Sequence, residues 1–177
     1  MNLNEGPSAG YQDLVLKGQL IEDNFQLIAV NKLERLHDIL QGYELSDASG
    51  SWIKKLLFKS TDTREIPQGL YVYGGVGRGK SMLMDLFFDG VAVKNKRRVH
   101  FHEFMQEAHE LIHIWRQNNR NEQQAEPMGP VASKIAKNTA LLCFDEFEVR
   151  DIADAMIVSR LFTALLELGV VVVATSN

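Results

Sequence analysis

Apolar residues along this chain change their spacing near residue 70. Before it they recur at helical intervals. Val30, Leu33, Leu36 and Leu40 fall three or four apart, and Gly42 can close the run. Asp23 and Gln26 have capping-box spacing, so a helix is predicted to begin near Asn24. A short helix is predicted around Trp52–Phe58, then a polar loop over 59–69 ending in Pro-Gln-Gly. Residues 1–10, polar and holding Gly and Pro, are expected to fray.

Beyond residue 70, short apolar runs alternate with helix-period segments. Strands are predicted over 70–73, 98–102, 140–144 and 170–175. Helices are predicted from about Lys80, over 103–116 and over 152–168. The last carries apolar Ile152, Met156, Phe162, Leu165 and Leu166, with Gly169 as its C-terminal cap. Residues 117–130 have almost no large apolar side chains and read as an exposed loop. Strand–helix alternation predicts an α/β fold: a mainly parallel sheet with helices on both faces. The division expected is a helical segment over 1–60 and a nucleotide-binding unit over 61–177.

Composition narrows the setting. The chain has 177 residues, 24% charged, with a net charge of −4, which argues weakly against nonspecific nucleic-acid binding. One cysteine, Cys143, permits no intrachain disulfide and fits a reducing compartment. The start resembles neither a signal nor a transit peptide, and the apolar run at 170–174 is too short to span a bilayer. A bacterial cytoplasmic protein is expected.

Three polar clusters sit at predicted strand ends, where parallel sheets bind ligands. Gly74-Gly75-Val76-Gly77-Arg78-Gly79-Lys80-Ser81 fits G-x-x-x-x-G-K-[ST], the Walker A phosphate loop. Glycines let backbone N–H groups surround phosphate oxygens, and the following helix, from Lys80 through Ser81 and Met82, points its positive end at the same anion. Lys80 would bridge the β- and γ-phosphates, and the Ser81 hydroxyl would bind Mg²⁺. The motif leaves Arg78 unspecified, and its side chain is read as solvated. The apolar strand before Asp145 and Glu146 is the Walker B counterpart. Asp145 would hold Mg²⁺ and Glu146 would polarise the attacking water. At the last strand tip, Asn177 would reach the γ-phosphate or that water if its strand lay between the other two. An ordinary Ser-Asn turn is the competing reading.

Together these clusters resemble an AAA+ ATPase, and more narrowly the AFG-one-like ATPase family. The stretches that carry this are GLYVYGGVGRGKSMLMDLFF, RRVHFHEFM, LLCFDEFEVRDIADAMIVSRLF and VVVATSN, with YQDLVLKGQLIEDNFQLIAVNKLERL similar to the family's opening helices. His-Phe-His-Glu-Phe-Met and Asp-Ile-Ala-Asp-Ala-Met are its family-specific part. The resemblance implies a P-loop NTPase three-layer sandwich and hydrolysis of ATP with Mg²⁺ by subunits that assemble into a ring. It implies the roles just given for Lys80, Ser81, Asp145, Glu146 and Asn177. For the bacterial branch it implies a protein partner in the division ring, the tubulin-like FtsZ, near the inner membrane.

An AAA+ module continues past the sensor strand, with a fifth strand, an arginine finger and a helical lid. Their absence here leads to an expectation of weak nucleotide binding and little turnover. It also predicts an unpaired edge at 70–73 that invites self-association. Phe104 and Met105 could serve as a translocating aromatic loop, though core packing is the expected reading. His100 with His102, and His109 with His113, share predicted faces but lack a third ligand, so no metal is assigned. Lys94, Lys96, Arg97 and Arg98 read as a solvated lead-in to a strand. Asp151 and Asp154 are expected to cap and charge a helix start.

Three other functions compete with a partner-remodelling ATPase. A nucleic-acid remodeller like a helicase loader is disfavoured by the acidic balance. A small-molecule P-loop kinase would need an acceptor site and a lid arginine. A fragment could also bind nucleotide or partner without turnover.

Overall fold

The computed structural model describes residues 6–45, 66–119 and 126–177. Among them the order is α1 (Pro7–Leu16), α2 (Asn24–Ile39), β1 (Leu70–Tyr73), α3 (Lys80–Gly90), β2 (Lys96–His100), α4 (Phe101–Asn118), α5 (Met128–Ala136), β3 (Leu141–Asp145), α6 (Ile152–Glu167) and β4 (Val171–Ser176). The four strands form one parallel sheet in the order β1-β4-β3-β2. Helices cover both faces, which makes the three-layer α/β sandwich of a P-loop NTPase.

β3 shows why the sheet is apolar on both sides. Leu141 and Cys143 join a core with α1, α2 and α3, whereas Leu142 and Phe144 join a second core with α4, α5 and α6. All four are fully buried, as the period-2 alternation of a doubly covered strand requires. Val30, Leu33, Leu36 and Leu40 face the first core as their spacing predicts. Gly69 leads into β1 so close to the Val172 carbonyl oxygen that any Cβ there would collide with it.

Several expectations are corrected. Residues 7–10 are helical rather than frayed, because Pro7 is preset for the first turn and Tyr11 is buried. The Tyr11 hydroxyl accepts from the Asp23 backbone N–H at 3.1 Å, which ties α1 to the start of α2. β2 ends at His100, two residues early. Phe101, Phe104, Met105, Ala108 and Ile112 are all buried, so the helical period already starts at Phe101. The predicted loop over 117–130 overlaps the start of α5. Gly129 and Pro130 hid this helix, but proline is tolerated in a first turn and Val131, Ala132, Ile135 and Ala136 face the core. On α6 the buried positions are Leu161 and Leu165, while Ile152, Met156 and Leu166 are exposed. The helix predicted at Trp52–Phe58 lies outside the described residues.

Candidate nucleotide-binding site

The phosphate loop joins β1 to α3 and takes its shape from two glycines. Gly77 and Gly79 have φ of 76° and 79°, the left-handed region that side chains disfavour. Gly74 N–H donates to the Ser176 carbonyl at 3.3 Å, which anchors the loop to the end of β4. Lys80 Nζ donates to the carbonyls of Gly74 and Gly75 at 2.7 and 2.8 Å, so its charge lies across the loop mouth. Ser81 is exposed in the first turn of α3, and Met82 packs against the core beneath it.

The N-terminus of α2 closes on this loop from outside. Gln26 Nε2 donates to the Arg78 carbonyl at 3.0 Å. Asp23 Oδ2 lies 3.6 Å from the Arg78 guanidinium, which sits 5.9 Å from the Phe25 ring centroid. Arg78 is thus well exposed yet partnered, not simply solvated. The capping box is only half formed: Asp23 accepts from Phe25 and Gln26 N–H, but the Gln26 side chain goes to the loop instead.

Asp145 ends β3 opposite His100 of β2. Arg98 grips its carboxylate with two bonds, Nε to Oδ2 at 2.6 Å and Nη2 to Oδ1 at 3.1 Å, and also pairs with Asp85 on α3. Burial on its own would lower the Arg98 pKa. The hydrogen bonds and charges of Asp145 and Asp85 outweigh it, and the net shift is upward. Of the basic run, Lys94 is exposed as a solvated lead-in would be, but Lys96, Arg97 and Arg98 are partnered. Lys96 Nζ donates to the Phe88 and Val91 carbonyls, and Arg97 pairs with Glu107. Cys143 is buried, and desolvation pushes its thiol up to about 12 against the pull of Arg98.

Glu146 is exposed and holds φ at 53°, the one left-handed non-glycine residue described. Phe147 imposes this. Its N–H donates to the Thr175 carbonyl at 2.7 Å, and its ring packs 4.4 Å from Phe101 with Phe144 and Phe162 beyond. The chain must turn sharply at Glu146 to sink Phe147, which leaves the carboxylate outside.

β4 lies between β1 and β3, so Asn177 follows the central strand tip, with the phosphate loop on one side and Asp145 and Glu146 on the other. This is the order on which its sensing role depended. Phe104 and Met105 are buried, which leaves them in the core. His109 Nε2 lies 2.8 Å from Asp154 Oδ1, and Asp151 caps α6 through the Asp154 N–H. The rings of His100 and His102 stand 6.0 Å apart, with His102 on α4 rather than on the strand. A cleft of about 550 Å³ opens beside Glu146, lined by Phe101, His102, Met105, His109 and Asp154 among others. The Arg98–Asp145–Asp85 network and the α2 clamp escaped sequence reasoning, because partners 47 and 52 residues apart leave no local spacing signal.

A solved structure of DnaI shares this fold with a TM-score of 0.52 at 18% identity, covering 89% of this chain and 69% of that one. A family model for AFG1-like ATPases matches residues 6–177, and the chain belongs to that family. It is 38% identical over 176 residues to the cell division protein ZapE of Escherichia coli K12, covering 97% of this chain and 45% of that protein. It is 53% identical over 116 residues to lactation elevated protein 1 homolog B of Danio rerio, covering 63% of this chain and 23% of that one. The chain spans less than half the length of these relatives. Among the described residues, no helix is long and apolar enough to cross a membrane.

Proposed function

We propose that this chain forms the nucleotide site of an AAA+ ATPase that hydrolyses ATP to remodel a protein partner. The observation that carries the reading is the meeting of three polar clusters at the carboxyl ends of the adjacent strands β1, β4 and β3. Lys80 neutralises the β- and γ-phosphates in place of the loop carbonyls it now holds. Glu146, outside the core, orients and deprotonates the attacking water. Asn177 senses the γ-phosphate from the central strand.

Mg²⁺ fits the donor set on offer. The exposed Ser81 hydroxyl and the Asp145 carboxylate are hard oxygen ligands, and a carboxylate gripped by Arg98 keeps free lone pairs. The ion would neutralise charge on the phosphates, while Arg98 keeps Asp145 in one orientation.

The likeness to ZapE, whose name assigns it to cell division, supports a division-related role. The family resemblance extends the proposal to a bacterial cytoplasmic setting, a division protein such as FtsZ as partner, and a ring of subunits. The test is Mg·ATP binding and turnover by the chain beside two variants. Lys80→Ala is expected to weaken binding strongly. Glu146→Gln is expected to keep binding while lowering any turnover by about 10²–10⁴-fold. Unchanged binding in Lys80→Ala would sink the reading.

A further inference from the structure

Gln26 has a polar atom left over. It stands three residues into α2 from the cap, but Asp23 caps the helix alone, accepting from Phe25 and Gln26 N–H at 2.7 and 3.2 Å. The Gln26 amide instead reaches the phosphate loop, with Nε2 donating to the Arg78 carbonyl. Gly79 makes room for it, since a Cβ there would stand 2.9 Å from Nε2. That bond also sets the amide's orientation, because only the NH₂ side can face a carbonyl oxygen. Oε1 is then closed off from solvent and has no donor, the one such side-chain atom among the described residues. A buried carbonyl oxygen without a donor is a free-energy cost that a ligand N–H would recover.

We infer that Gln26 reads the base of the bound nucleotide and selects adenine, an inference that rests on the nucleotide reading above. Adenine presents an amino donor at N6 beside an acceptor at N7. A glutamine amide presents the complement, an acceptor beside a donor, and the two form parallel hydrogen bonds. Nε2 has two hydrogens, so one stays on Arg78 while the other meets N7. Guanine offers O6 where adenine offers N6–H₂, and Oε1 would then face a second acceptor. The terminal torsion of the side chain is broad, so a small turn about it opens Oε1 to an entering base while Nε2 keeps its bond to Arg78.

The surroundings suit a base's flat face. Phe25 is 74% exposed, and Ile21 and Ile28, four residues before it and three after it in the chain, are 90% and 57% exposed. Aromatic and apolar surface of this kind takes up base faces without regard to sequence, so discrimination falls to the amide.

The test is equilibrium binding of Mg·ATP and Mg·GTP to the chain and to Gln26→Leu and Lys80→Ala, with thermal unfolding to confirm folding. The wild type is expected to favour ATP by about 10–100-fold. Gln26→Leu should bring that ratio close to one by weakening ATP, with GTP little changed. Lys80→Ala should weaken both alike. An ATP:GTP ratio that survives in Gln26→Leu overturns the inference, including the case where both affinities fall together because Gln26 only braces the loop. A wild type that binds both equally overturns base selection alone, and one that binds neither overturns the nucleotide reading as well. Gln26→Asn, which withdraws the amide by one methylene, serves as the second variant should the leucine form unfold.

Discussion

Arg98 ties three elements together, because its guanidinium on β2 meets Asp145 on β3 and Asp85 on α3. The Asp145 side chain is only 13% exposed, so losing the arginine strands a poorly hydrated carboxylate. Arg98→Met is expected to cost about 1–3 kcal/mol in urea unfolding, allowing for partial exposure of the pair. Asp145→Asn introduced on top should cost less than it does alone, and strict additivity would dismiss the coupling. Glu146 makes the opposite case. Its left-handed backbone is a local cost that glycine would not bear. Glu146→Gly is expected to raise stability by about 0.5–1 kcal/mol while removing the proposed water-activating carboxylate. A loss of stability would show that the carboxylate, not the backbone, matters to folding.

At the scale of elements, α5 and α2 show different kinds of legibility. α2 announced itself by period and cap, and Val30, Leu33, Leu36 and the C-cap Leu40 are buried as read. α5 carries the same apolar spacing, yet Gly129 and Pro130 at its start read as punctuation. Its helix is stabilised by packing of Val131, Ala132 and Ile135 in the second core rather than by propensity. Ile135→Ala is expected to cost about 2–4 kcal/mol, measured by chemical denaturation. A change under about 0.5 kcal/mol, the size expected of a surface position, would put α5 outside the cooperative core.

At the scale of the molecule, the sheet has two edges among the described residues, β1 and β2. β2 is backed by ion pairs on its basic residues. β1 is less protected. Tyr71 and Tyr73 are 56% and 77% exposed and stack on each other at 5.9 Å. Such an edge pairs readily with another chain. The chain is expected to self-associate as concentration rises in light scattering, and Tyr73→Lys is expected to reduce this. A monomer at all concentrations would count against it.

Much of this protein was settled by sequence alone. The G-x-x-x-x-G-K-S loop, the Asp-Glu pair after an apolar strand, and the parallel α/β architecture all follow from local spacing, because backbone geometry and burial act over neighbouring residues. The tertiary structure decided the rest. It placed β4 between β1 and β3, which puts Asn177 in line with the other clusters. It turned a basic run into the grip on Asp145, and brought Gln26 against a loop 52 residues away. Those contacts depend on which distant groups folding brings into hydrogen-bond reach. No period or spacing in a single sequence encodes that.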